Sequence, residues 1–249
     1  MCTIGAVIHK GRTFLLKNFD YPPVPTGWAH FTTFDGGFPH FALVDHDQQG
    51  VNSGLNDQGL AVQISRSKCL ADVTPEREEL RTVLNGEVLT RCATVIEGVA
   101  RIETYAGQHP EMLGGNVMLG DRQQIAVLEY FGGQVKSKVV ENGFLARANH
   151  SVLGVVDNGN EDSGRRYERM VDFLQDLYAW LPTLDGDDVL TRCRAMLRQE
   201  PIMNGNTRSS FVVDVEGGQV DYLLAEGPWQ RYWMDGVGAP SKRGNGEFH

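Results

Sequence analysis

Long apolar runs are missing from this chain: none approaches the roughly 18 residues that a bilayer-spanning helix needs, so no membrane partner is expected. The opening segment, Met1-Cys2-Thr3-Ile4-Gly5-Ala6-Val7-Ile8-His9-Lys10, has no basic residues ahead of its apolar stretch and does not read as a secretory signal, so a cytoplasmic location is expected. Basic residues are also scarce. Against 32 Asp and Glu stand 23 Lys and Arg, a net charge of −9, and no Lys/Arg cluster offers a footprint for nucleic acid. Cysteine is sparse. Cys2, Cys69, Cys92 and Cys193 lie far apart, without a CxxC pair or a His at ligand spacing, which argues against a zinc site and implies no cofactor. Cys92 and Cys193 fall on apolar faces of predicted helices, where a thiol acts as a small hydrophobe. Repeats and low-complexity linkers are absent too, so residues 1–249 read as a single domain, with about 236–249 as a loose C-terminal tail.

What is present is apolar material for a sizeable core, 41% of residues, and 29 Gly for many turns. β-rich runs at Thr3–His9 and Thr13–Phe19, separated by Lys10-Gly11-Arg12, predict a hairpin with Cys2 at its start. From Tyr21 to Pro39 runs an aromatic, Pro- and Gly-rich stretch with Trp28, His30, Phe31, Phe34 and Phe38, too long for a simple connector; it reads as a functional loop. Strands follow at Phe41–Val44 and Leu60–Ser65, separated by the turn-rich Asn52–Gly59. Thr74-Pro75-Glu76 opens a helical region that Val88, Cys92, Val95, Ile96, Val99 and Ile102 carry to about Tyr105. Segments Asn116–Leu119, Ile125–Tyr130, Gln134–Val140 and Phe144–Ala148 imply a second sheet. Tyr167, Met170, Leu174, Leu177 and Leu181 form a helical stripe. Val189, Leu190, Cys193 and Leu197 form another after the Asp185-Gly186 break, and strands return at Ser210–Val215 and Val220–Leu224. Strands and helices come in blocks, without a βαβ rhythm, which predicts a layered α+β domain.

The chemistry centres on Cys2. Removal of an initiator Met ahead of a small residue would leave Cys2 carrying both a thiol and a free α-amine. An α-amine titrates at about 7.7–8.0 and a thiol at about 8.5, so the amine is able to take the thiol proton near neutral pH without a separate His. Attack on an amide carbonyl then gives a thioester, while the same amine protonates the leaving nitrogen and later activates water. Position alone is a weak warrant, because most residues after Met do nothing; the surrounding residues strengthen it. A hairpin would carry Asp20, at the end of Lys17-Asn18-Phe19-Asp20, back towards Cys2 to bind its ammonium form, with Lys17 stabilising negative charge on sulfur. Asn149, in Arg147-Ala148-Asn149-His150, offers a side-chain amide to an oxyanion. Ser163 would cap a helix opening Ser163-Gly164-Arg165-Arg166-Tyr167, one of whose arginines would turn inward to hold a carboxylate, Asp20 among the candidates.

The strings MCT, KNFD, GLNDQGLAV, GGNVMLGD, ARANH, SGRRYER and TRSSFVVDVEGG occur in this order over roughly residues 2–225. Together they resemble the N-terminal-nucleophile (Ntn) hydrolases, in the branch with penicillin V acylase, choloylglycine hydrolase and the acyl-coenzyme A:6-aminopenicillanic acid acyltransferases. The resemblance implies a four-layer αββα sandwich of two antiparallel sheets covered by helices. It implies Cys2 as nucleophile, Asp20 as the carboxylate orienting its amine, Asn149 as the oxyanion-hole residue and Arg166 as the arginine near the nucleophile. The sequence departs from the pattern at Lys17, where relatives usually carry Arg and where Lys cannot make a bidentate contact. It departs again at Ile64-Ser65-Arg66, which lacks a second oxyanion Asn and leaves Ser65 or Arg66 to substitute. With only Met1 ahead of the Cys, self-cleavage is not required. The expected partner is a small-molecule amide, an N-acyl or N-aminoacyl compound, in a pocket walled by some of Trp28, Phe31, Phe34 and Phe38, with Ser65, Arg66 and His150 beside it. Transfer of the acyl group to an amine, and a non-catalytic binding role on the same fold, are the alternatives. The sequence leaves the oligomeric state open, a homo-oligomer among the options.

Overall fold

Alternation builds the first hairpin. In β1 (Cys2–His9) and β2 (Arg12–Asp20), Ile4, Ala6, Ile8 and Leu15 face one way and Val7, Phe14 and Leu16 the other, so each strand is buried on both faces. The strands pair from Cys2 opposite Phe19 to His9 opposite Arg12. Lys10 and Gly11 close the turn with φ of 50° and 84°, the left-handed pair whose twist matches that of the strands. The computed structural model describes residues 2–20, 26–31, 36–45, 51–67, 74–156, 160–224 and 227–234.

Further along lie β3 (Thr26–Phe31), β4 (His40–Asp45), β5 (Val51–Asn56), β6 (Ala61–Arg66), β7 (Gly115–Gly120), β8 (Ile125–Phe131) and β9 (Gln134–Val140). These form a seven-stranded antiparallel sheet in chain order. The hairpin joins β10 (Gly143–Arg147), β11 (Thr207–Asp214), β12 (Gln219–Leu224) and β13 (Gln230–Trp233) in a six-stranded sheet, ordered β10-β1-β2-β11-β12-β13. Ile4, Leu15, Phe41, Leu55 and Phe211 fill the space between the sheets. Helices α1 (Pro75–Arg91) and α2 (Val95–Gln108) cover the outside of the larger sheet through Leu84, Val88, Val95 and Ile102. Helices α3 (Glu161–Trp180) and α4 (Gly186–Leu197) cover the smaller sheet through Met170, Leu174, Leu177 and Cys193. The result is the expected αββα order of layers.

Several expectations need correction. The aromatic stretch is not all loop, since β3 runs through it. The turn-rich segment contains β5, whose Asn, Ser and Gly content hides a fully buried strand. Gly54 is required there, because a Cβ would lie 2.7 Å from the Phe41 carbonyl oxygen. The helical region breaks at Cys92, which caps the end of α1, and Thr94 restarts it as the N-cap of α2. Cys92 and Cys193 are buried as expected. Asn160, not Ser163, caps α3. Strand β13 was not foreseen, because its four residues carry no alternation long enough to read. Met1, Cys69 and the expected tail at 236–249 lie outside the described residues.

Candidate active site

Cys2 begins the second strand of the smaller sheet and is only 5% exposed. Ile4 pairs with Arg147 at the end of β10, and the chain runs on from there to Asn149, whose side chain meets Cys2. The backbone nitrogen of Cys2 donates to Asn149 Oδ1 at 2.8 Å. Arg166 Nη2 donates to the same oxygen at 3.0 Å, so Nδ2 is the donating end of the amide, and it reaches the Arg66 carbonyl at 2.6 Å.

Arg166 enters from the first turns of α3 and is fully buried. Its Nη1 donates to the Cys2 carbonyl oxygen at 2.8 Å and to Thr3 Oγ1 at 3.0 Å, and its Nη2 pairs with Asp162 at 2.9 Å. One guanidinium thus fixes both the backbone of Cys2 and the side chain that holds its nitrogen, using the planar fork of donors that a Lys lacks.

Ser163 does a task that sequence reading assigned to a cap. Its hydroxyl oxygen accepts from the Asn149 backbone N–H at 2.8 Å and lies 2.7 Å from His150 Nδ1. The hydroxyl thus joins the Asn149 backbone and the His150 ring at one point. Burial, then the Arg147 charge, lowers the His150 pKa below the ordinary 6.5, which favours the neutral ring.

Asp20 lies one residue beyond the partner of Cys2, because the register sets Phe19, not Asp20, opposite Cys2. Its fully buried carboxylate accepts from Asn204 Nδ2 and Thr207 Oγ1, both at 2.7 Å. Burial raises its pKa above the ordinary 3.8, opposed by these hydrogen bonds and by nearby positive charge that includes Arg166. Lys17 is buried on the inner face, one strand-repeat from Phe19, and its ammonium donates to the carbonyl and side-chain oxygens of Asn52. Asn52 sits where the β4–β5 register slips, a bulge that re-aims a side chain.

Ser65 is buried, donates to the Ala148 carbonyl at 2.6 Å and accepts from Asn116 Nδ2 at 3.0 Å, so it ties the two sheets beside Asn149. Arg66 meets the site through its backbone carbonyl. Glu129 on β8 pairs with Arg147 on β10 at 2.6 Å and accepts from the backbone N–H groups of Val152 and Leu153. That buried clamp holds the chain just after Asn149 and His150. Trp28 and Phe31 belong to β3, paired with Leu43 and His40, but their side chains lie outside the described residues, as does all of Phe34.

Sequence reasoning missed Ser163 as a bridge, Glu129, Asn52, Asn116, Asn204 and Thr207. Each acts across 13 or more residues of sequence, a distance that local pattern does not report. Among the described residues there is no His, Cys, Asp and Glu group able to hold a metal ion, and no helix long and apolar enough to cross a membrane.

Comparison with known proteins gives the family and the fold. The family model for acyl-coenzyme A:6-aminopenicillanic acid acyl-transferase matches residues 7–183, well over half of the chain. No curated protein matches it. Among solved structures, the chain is similar to penicillin V acylase from Agrobacterium tumefaciens, with a TM-score of 0.66, 14% identity, and coverage of 100% of this chain and 93% of that one. It is similar to the Caenorhabditis elegans N-acylethanolamine-hydrolyzing acid amidase ortholog, with a TM-score of 0.63, 14% identity, and coverage of 86% and 93%. It is also similar to the C2A mutant of conjugated bile acid hydrolase from Clostridium perfringens, with a TM-score of 0.61, 11% identity, and coverage of 99% and 98%. At these identities the likeness is one of fold, the Ntn-hydrolase sandwich.

Proposed function

This chain belongs to the acyl-coenzyme A:6-aminopenicillanic acid acyl-transferase family, and from that premise we propose that it hydrolyses a linear amide bond through a thioester on Cys2. The observation that carries the reading is the hold on the first residue of β1. Asn149 Oδ1 takes the Cys2 nitrogen while Arg166 grips both that oxygen and the Cys2 carbonyl. A residue that served only as a strand end would need no buried guanidinium at its backbone. Removal of Met1 turns the held nitrogen into an α-amine on the same residue as the sulfur.

The amine then takes the thiol proton and Sγ attacks the amide carbonyl. Asn149 Nδ2 carries a second N–H besides the one given to Arg66, and that hydrogen stabilises the oxyanion. The carbon–nitrogen bond breaks as the ammonium returns its proton to the leaving amine, leaving a thioester. The amine next draws a proton from water, which attacks the thioester and frees the acid. Asp20, with its carboxylate fixed by Asn204 and Thr207, supplies negative charge towards the ammonium form. Lys17 adds positive charge on the inner face that Cys2 shares. That the similar structures are an acylase, an acid amidase and a bile acid hydrolase supports the cleavage reading.

The test is amide turnover over a panel of N-acyl amines by the wild type and Cys2→Ala. Loss of turnover in the variant is expected, and undiminished turnover refutes the proposal. The family name favours a second reading, transfer of the acyl group to an amine. Single-turnover partitioning with an added amine separates the two: free acid alone supports hydrolysis, and an acylated acceptor supports transfer.

A further inference from the structure

The face between the sheets is apolar along most of its length, but near Cys2 it carries buried polar atoms with no hydrogen-bond partner among the described residues. Among these are both Nε2 and Oε1 of Gln63, Oγ of Ser53 and Oγ of Ser209, from residues at 0%, 0% and 2% exposure. Buried amides and hydroxyls without partners are rare in native folds, and each calls for an explanation.

Register places these residues together. Ser53 pairs with Gln63, and Gln63 with Met118. Met118 belongs to the inter-sheet core, as do Ala61 and Leu55, two residues from Gln63 and Ser53 along their strands. Gln63 and Ser53 therefore share the inner face. On the facing sheet, Ser209 pairs with Phe19 and Phe19 with Cys2, so Ser209 lies in the row of the nucleophile. Ser65 touches Ala148 at the end of that row, and Gln63 stands one strand-repeat deeper on the same strand. Lys17 fixes this depth independently: it stands one strand-repeat in from Phe19 and reaches across to Asn52, the neighbour of Ser53. Strand β6 packs across β1 and β2, which brings the rows face to face.

Which half of an amide would lie there follows from the orientation of Cys2. Its nitrogen is at the outer end of the strand, against Asn149. The leaving amine takes its proton from that nitrogen, so it departs at the outer end, and the acyl group bonded to Sγ extends inward. We infer that Gln63, Ser53 and Ser209 form a polar floor for the acyl half of the substrate, which carries a neutral hydrogen-bonding group, a carboxamide or a hydroxyl. Gln63 offers one donor and one acceptor side by side, and a carboxamide complements both. A Leu or Met at position 63 would instead continue the core of Ala61 and Leu55 without a polar atom to satisfy.

This inference rests on the Cys2 acyl-enzyme reading, and the experiment separates the two. The probes are the nitroanilide of glutaramic acid and its alkyl isostere, in which an isopropyl group replaces the carboxamide. Intact mass records the Cys2 adduct alongside turnover. The wild type is expected to favour the carboxamide by roughly tenfold or more in kcat/KM. Gln63→Leu should reverse that preference, and Ser53→Ala should weaken it. Gln63→Met repeats the test with closer shape should the Leu variant fail to fold. Equal handling of the two probes by a wild type that forms Cys2 adducts overturns the polar floor alone. A wild-type preference that both Gln63 variants keep does the same, because the orphan amide would then be satisfied by ordered water. Absence of any Cys2 adduct or turnover with either probe overturns the floor and the acyl-enzyme reading together.

Discussion

The two helical layers have the same packing task and differ in what they bury. Helices α1 and α2 present Leu84, Val88, Val95 and Ile102 to the larger sheet, and the buried Asn85 spends its side-chain N–H on a backbone carbonyl, that of Val51. Helix α3 packs an equally apolar stripe but buries Ser163 and Arg166 in its first turns, where they reach Asn149, His150, Thr3 and Cys2. One layer supplies stability, and the other supplies stability together with the geometry around Cys2. Stability and activity should therefore separate by layer.

Four substitutions probe that separation, taken in falling order of their effect on kcat/KM. Arg166→Met leaves Asn149 Oδ1 and the Cys2 carbonyl short of a donor; the expected result is a loss of about a hundredfold in kcat/KM and about 3 kcal/mol in stability. Amide turnover and urea denaturation check this, and near-normal turnover would show that the guanidinium does not position Cys2. Asp20→Asn should lower kcat/KM by about tenfold. Its stability profile carries a further signature. Burial holds the folded Asp20 pKa above 3.8, so the stability linked to its proton is present below 3.8 and lost as pH rises through the folded value. Asn does not titrate, so the variant should lack that loss and be no less stable than wild type at neutral pH. Thermal melts of both proteins across the acid range decide this, and a wild type that gains stability relative to the variant through the same window would contradict the assignment.

Ser163→Ala removes the bridge between the Asn149 N–H and His150, and should cost about 1–3 kcal/mol with only a few-fold loss in kcat/KM. An additional loss of substrate turnover as large as that of Arg166→Met would move the positioning role from the arginine to the serine. Leu84→Ala, in the other layer, should cost about 2–5 kcal/mol and leave kcat/KM of the folded protein unchanged. A fall in kcat/KM there would show that the layers are not separable.

How far the sequence disclosed this arrangement depended on the range of each interaction. Strand alternation and helical stripes are local, so most elements could be read, while the αββα layer order came from the family resemblance. Strand β5 could not, because Asn52, Ser53, Gly54 and Asn56 look like a turn and become a strand only through close packing under Leu89. Cys2, Asp20, Asn149 and Arg166 were picked out as site candidates from residue chemistry joined to a family resemblance, and the structure brings Cys2, Asn149 and Arg166 into direct contact. The pairing of Asp20 with Asn204 and Thr207, and of Glu129 with Arg147, depends on contacts between distant strands that no spacing rule encodes. Ser163 misled because a Ser three residues into a helix and a Ser at its cap have the same local signature, and Asn160 took the cap.

The central claim is that the first working residue is Cys2 with a free amine and an acylated sulfur. Intact-mass and peptide-mass analysis of protein from its native host, quenched during turnover of an amide substrate, addresses it directly. The account predicts a chain lacking Met1 with the acyl group on Cys2; an active chain that retains Met1, or an acyl group on another residue, would contradict it.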